Sequence, residues 1–279
     1  MSFVLKEPRA AEVPVVVEVP HAGLEVDAQT LATLAAPAAA IGRDADLYVD
    51  ELYEDAPDCG ATLLAARMSR YVVDLNRSEH DVDRETVLGE NGRSSPHGLI
   101  WRSTTDGRPA LTRPLPKAEL ERRLKAYYRP YHDTLDEVVR DKLARFGFVI
   151  VLCGHSMPSR GRDGHDDPGR ERADVVPGTR RRTTAAPAVI EVTERVAARY
   201  HLGLLHDEPY RGGHTTVRYG RPTAAIHAIQ IELNRRLYMD EQTLTKKVNE
   251  FRVVRSFCRS VVQELAELRA VPLARASRL

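Results

Sequence analysis

The stretch from Val13 to Gly23, Val-Pro-Val-Val-Val-Glu-Val-Pro-His-Ala-Gly, constrains the fold more than any other part of the chain. A run so short, apolar and β-branched reads as a strand covered on both faces, which belongs in a sheet with helices on either side. Pro20 cannot donate to a ladder, so it ends the run and leaves His21 on the turn beyond. Ala22 and Gly23 are small enough to let backbone or a ligand approach that imidazole. Open α/β sheets place ligand chemistry at the carboxyl ends of their strands, which makes His21 the first candidate residue. Taken alone, such a motif is more often a loop histidine with a local hydrogen bond.

The same design returns later. Gly147 to Cys153 is the most apolar strand candidate, and it runs into Gly154-His155-Ser156. Ala61 to Ala66, Tyr71 to Leu75, Leu202 to Leu205 and an edge at Thr215 to Tyr219 also read as strands. Ala224 to Leu233 is a further one and carries Glu232 near its end. Helical patterns cover Ala28–Ala40, Lys117–Arg145, Thr184–His201 and Asp240–Arg269, and Pro130 predicts a kink or join in the second of these. Asp44, Ala45 and Asp46 sit where the cap and first turn of another helix, through Tyr53, would fall. Strands alternating with helices predict an α/β sandwich around a mostly parallel or mixed sheet. Two long polar stretches, Ser78–Pro116 and Ser159–Arg182, read as loops of functional size.

The length of 279 residues suits one large domain, with no repeat or low-complexity linker to divide residues 1–279. A net charge of +1 gives no global field for nucleic acid. No apolar run approaches the ~20 residues needed to span a bilayer. The N-terminus lacks the pattern of a signal peptide, and Cys59, Cys153 and Cys258 are isolated. A cytoplasmic protein is therefore expected, with no nucleic-acid or membrane partner and the oligomeric state left open.

His21 and His155 with a carboxylate from Asp44 or Asp46 would make a catalytic zinc set, two imidazoles and one acid with a fourth position open. Such a centre activates water and polarises a carbonyl, and Glu232 could then move the proton. The alternative reading has Asp44 as a helix cap, Asp46 favourable at the helix start and Glu232 in an ion pair. Arg77 and Arg218 have the paired donors that grip carboxylates, and Asn76 could add a directional hydrogen bond. His132 either faces the site or packs. His214 and His227 read as structural, and His165-Asp166-Asp167 as a solvated loop.

Together these segments resemble one family. Pro20-His21-Ala22-Gly23, Asp44-Ala45-Asp46 with Val49 to Tyr53, and Asp74-Leu75-Asn76-Arg77 are similar to the N-formylglutamate amidohydrolase (deformylase) family. So are Arg129 to His132, His155-Ser156, Gly212-Gly213 with Arg218 to Pro222, and Gln230 to Leu233. The match is ordered and runs from about residue 13 to about residue 241. The resemblance implies a three-layer α/β/α fold of the zinc-exopeptidase-like (phosphorylase/hydrolase-like) kind. It implies hydrolysis of a formyl or similar acyl amide on an acidic amino acid, N-formyl-L-glutamate first, in histidine degradation. It also implies one zinc ion held by His21, Asp46 and His155, with Asp44 the alternative carboxylate, and Glu232 as general base and acid. Departures from the family pattern at Arg211-Gly212-Gly213-His214 and in the two long loops bear on the substrate more than on the reaction. Two competing readings are a zinc hydrolase of another N-acyl amino acid or small peptide, and a metal-free binding protein for an acidic ligand.

Overall fold

The computed structural model describes residues 1–268. Six strands form one mixed sheet in the order β1-β3-β2-β4-β6-β5. They are β1 (Phe3–Lys6), β2 (Val15–Val19), β3 (Thr62–Ala66), β4 (Val149–Met157), β5 (Val175–Gly178) and β6 (Ile226–Asn234). The central strands β3, β2, β4 and β6 are parallel, and β1 and β5 join the two edges antiparallel. Helices α1 (Ala28–Leu31), α2 (Ala38–Asp44), α3 (Val49–Leu52), α4 (Lys117–Arg123), α5 (Arg129–Phe146), α6 (Pro187–Arg199), α7 (His214–Tyr219) and α8 (Val248–Ala266) accompany it.

The period-2 alternation of the strands divides the core in two. Val15, Val17, Val19, Ile150, Leu152, Ile229 and Ile231 face one layer, with Val192 of α6 and Phe257 and Val261 of α8. Val16, Leu64, Val149, Val151 and Ala228 face the other, against Tyr131, Leu135 and Val139 of α5. This is why the strands carry nearly continuous apolar runs: both sides are dry. Glu18 is the exception, a fully buried carboxyl on β2 that accepts from Tyr131 Oη at 3.2 Å.

Several sequence expectations are corrected. The Ala28–Ala40 helix is broken into α1 and α2, with Pro37 capping the second. Asp44 ends α2, while Asp46 lies in the extended link before α3, so neither caps that helix. Tyr71–Leu75 is buried like a strand but pairs with none: its backbone is taken by loops, as in Asp74 N to Leu99 O at 2.8 Å. Thr215–Tyr219 is helix, not edge strand. Asn76 accepts from both His214 N (3.2 Å, backbone) and Thr215 N (3.1 Å, side chain), a tertiary cap that overrides the β-branched run. Pro130, by contrast, falls where a join was expected: a π-helical turn, Leu124–Tyr128, separates α4 from α5, and the proline sits in the first turn of α5, where its missing donor is tolerated.

Leu202–Leu205 makes only a single bridge, Leu204 to Val175. The loop from Ser159 to Arg182 conceals β5, and β1 lies in a stretch that carried no signal. The last helix starts at Val248, and Arg269 lies outside the described residues. Ser78–Pro116 has no helix or strand beyond isolated bridges, as its composition indicated.

Candidate metal centre and active site

Three elements meet at the carboxyl end of the parallel strands. His21 follows β2 across Pro20, and its carbonyl accepts from Asp46 N at 3.0 Å, tying the two segments together. His155 and Glu232 lie on β4 and β6 and are register partners across the parallel ladder. Their side chains therefore leave the sheet on the same face. His21, Asp46 and His155 are all buried, and one donor atom from each lies within 4.8 Å of the others.

These residues fit a metal. His21 Nε2 donates to Asp74 Oδ1 at 2.7 Å, which leaves Nδ1 bare, buried and without a hydrogen-bond partner. A buried imidazole nitrogen in that condition, aimed near a carboxylate and a second imidazole, matches the N, N, O donor set that zinc selects. His155 Nδ1 faces Asp46 Oδ2 at 2.8 Å, and its Nε2 sits 3.1 Å from both Asn76 Nδ2 and Cys153 Sγ. Burial works against charge on Asp46, yet His155, His21 and Arg70 hold it well below the usual carboxylate range. Burial likewise opposes Asp74, which His21 and Arg70 depress. Glu232 moves the other way: burial, with Asp46 adding to it, raises its carboxyl against the pull of His155.

Asp44 has a different task. Its oxygens accept from Tyr71 Oη (2.5 Å), Thr105 N (3.1 Å), Thr105 Oγ1 (2.5 Å) and Arg162 Nη1 (2.9 Å). It therefore pins both long loops over the site, leaving Asp46 as the acid in the cluster. A cavity of about 380 Å³ opens above the triad, and its wall includes Glu232, Asn76, Arg77 and Gln230. Gln230 Nε2 donates to Glu232 Oε1 at 2.8 Å and fixes that carboxyl.

The structure thus brings His21, Asp46, His155, Glu232, Asn76 and Arg77 to one cavity. It places Arg218 and His132 behind the wall. Arg218 is paired with Asp136, and His132 donates to Leu75 O at 3.0 Å with its ring among Tyr128, Tyr131 and His214. Sequence reasoning overlooked Arg70, Arg162 and Arg235, which neutralise Asp74, Asp44 and Asp46. Only Arg235, the residue immediately after strand β6, carried a positional hint.

A mixed α/β sheet with a buried His-Asp-His cluster and a partnered glutamate at its carboxyl end defines a hydrolase with a candidate metal centre. The model of the N-formylglutamate amidohydrolase family matches residues 13–239. The N-formylglutamate deformylase of Pseudomonas aeruginosa is 34% identical over 238 residues, covering 84% of this chain and 85% of that protein. That of Pseudomonas putida is 32% identical over 232 residues, 82% of each. The crystal structure of N-formylglutamate amidohydrolase from Ralstonia eutropha superposes with a TM-score of 0.88 at 32% identity, over 95% of this chain and 97% of that one. A protein of Agrobacterium tumefaciens shares the fold, with a TM-score of 0.69 at 20% identity over 96% of each chain. This chain belongs to the N-formylglutamate amidohydrolase family, and it is an amidohydrolase.

Proposed function

We propose that this amidohydrolase is zinc-dependent and releases formate from an N-formyl amino acid, with N-formyl-L-glutamate as the leading substrate. The observation that carries the reading is the buried His21–Asp46–His155 cluster with Glu232 beside His155 in register, in a chain 34% identical to an N-formylglutamate deformylase. One ion would be held by His21, Asp46 and His155, and would supply Lewis-acid polarisation of the formyl carbonyl and activation of water at neutral pH. Glu232 accepts the proton of the attacking water at a carboxylate oxygen. It then delivers that proton to the amide nitrogen as the C–N bond breaks, giving formate and the free amine. Asn76 and Arg77 hold the substrate on the cavity wall, Arg77 by a charge-assisted grip on a carboxylate. Arg218 and His132 support that wall from behind, through α7 and α5.

The test joins metal content to product. Protein purified without chelators or affinity tags is expected to carry about one zinc per chain, lost in a His155→Ala variant. It should release formate from N-formyl-L-glutamate and little acetate from N-acetyl-L-glutamate. Equal turnover of both would make it a broader N-acyl hydrolase. Absence of metal together with tight binding of an acidic ligand would make it a binding protein.

A further inference from the structure

Arginines 70, 77, 162, 211 and 235 line the cavity. Arg70 pairs with Asp74, Arg162 with Asp44, and Arg235 with Asp46. Among the described residues, the side chains of Arg77 and Arg211 make no hydrogen bond or ion pair; only their backbones are engaged. Two guanidiniums without a hydrogen-bonded or ion-paired partner on the wall of one cavity, Arg77 half-buried and Arg211 exposed, offer two places for anions on the occupant, since each presents a planar fork suited to a carboxylate.

The backbone sets where the two forks stand. Arg77 follows Asn76 directly, and Asn76 touches His155, so Arg77 is attached beside the metal cluster. Arg211 lies on a segment packed against the same asparagine. A Cβ on Gly213 would fall 2.4 Å from Asn76 Nδ2, and Gly213 N donates to Gln230 Oε1 at 2.9 Å. Arg211 is two residues away, within roughly 7 Å of that contact along the chain.

The path of the Arg211 segment is held by an unusual turn. Arg180, Arg181 and Arg182 are all left-handed, with φ of 50°, 62° and 62°. Side-chain-bearing residues avoid this conformation because Cβ crowds the next carbonyl. The turn is fixed because the N–H groups of Thr179, Arg180 and Arg181 converge on the Asp207 carboxylate at 2.7, 3.0 and 2.6 Å. Arg180 N also donates to the carbonyl of Arg211 at 2.9 Å. Strained backbone held this firmly points to what it positions, and here that is Arg211 at the cavity wall.

We propose that Arg211 is the specificity-determining residue of the site. It takes the side-chain carboxylate of an N-acylated acidic amino acid, while Arg77, next to the cluster, takes the α-carboxylate two bonds from the acylated nitrogen. This rests on the proposed function for its catalytic readout but not for its binding readout. The experiment compares the parent with Arg211→Ala and Arg211→Lys on N-formyl-L-glutamate and on N-formyl-L-glutamine, its isostere with an uncharged side chain. Arg211→Ala should lower kcat/KM for the glutamate substrate by roughly 10- to 100-fold, the loss expected for a hydrogen-bonded charge, and for the glutamine substrate by less than about 3-fold. Arg211→Lys should recover part of the difference. Equal losses on both substrates, or none on either, overturn the proposal.

The second arm is calorimetry with glutarate and butyrate, which needs no turnover. Glutarate should bind the parent, and bind Arg211→Ala at least about 10-fold more weakly, with butyrate insensitive to the change. Glutarate binding that is absent, or the same in both proteins, overturns it. Failure of the parent to hydrolyse any N-formyl amino acid would instead refute the proposed function, and this binding arm would still decide the role of Arg211.

Discussion

Glu232 stands opposite His155 on the neighbouring parallel strand, held by Gln230 and raised by burial. Its position makes a clean residue-level prediction. Glu232→Gln keeps the shape and loses the proposed base, so activity should fall by about 10²–10⁴-fold while metal content is unchanged. Zinc retention with full turnover would remove Glu232 from the mechanism. At this scale the sequence was informative where a residue sits at a strand end, as with His21, His155 and Glu232. It was uninformative where chemistry is assembled from loops. Arg162 reaches Asp44 across 118 positions of chain, and no local pattern encodes such a meeting. Arg218 shows the converse: a promising arginine near a Gly-Gly turn is already paired with Asp136.

Strand β4 carries His155, and its neighbour Gly154 is packed under a core aromatic. A Cβ there would lie 2.6 Å from Tyr53 Cε2, a ring only 1% exposed. Gly154→Ala should therefore cost about 1–3 kcal/mol through overpacking, read as a lower urea midpoint. An unchanged midpoint would mean that the Tyr53 ring moves freely, against the close packing described. The strands β2, β4 and β6 were legible because two dry faces force long apolar runs. Helix α7 was not, because its start is set by Asn76, 139 positions earlier than Thr215. Strand β5 was hidden because its four residues, Val-Val-Pro-Gly, include two that ordinarily break strands; as an edge strand it tolerates the proline.

Across the whole molecule, two histidines buried in the interior tie stability to pH. Burial, with Arg218 and His214 nearby, pushes His132 down to about 3, and burial alone pushes His227 down to about 4. Their unfolded value is about 6.5. Below that pH the unfolded chain takes up protons that the folded one refuses, so stability falls as pH drops from about 6.5 toward those values. Urea midpoints should decline between pH 7 and 5, where most carboxylates stay ionised. His132→Gln should flatten that decline by about one proton's worth, ~1.4 kcal/mol per pH unit. A slope identical to the parent's would show that His132 is protonated in the folded protein. Among the described residues, no helix is long and apolar enough to cross a membrane.

The sequence by itself determined the layered α/β architecture, the strands whose carboxyl ends carry His21 and His155, and the family, because apolar periodicity and short ordered motifs are local properties of a chain. It also narrowed the candidate metal-binding acid to Asp44 or Asp46. Tertiary structure alone distinguished their placements, by surrounding Asp44 with Tyr71, Thr105 and Arg162 and leaving Asp46 beside the two imidazoles. It likewise separated Arg77 and Arg211, which meet the cavity without a counter-charge, from arginines that are already neutralised. The physical reason is the same in each case: whether a charged group is available depends on what folding brings within hydrogen-bond reach of it, and those partners lie far away in the chain.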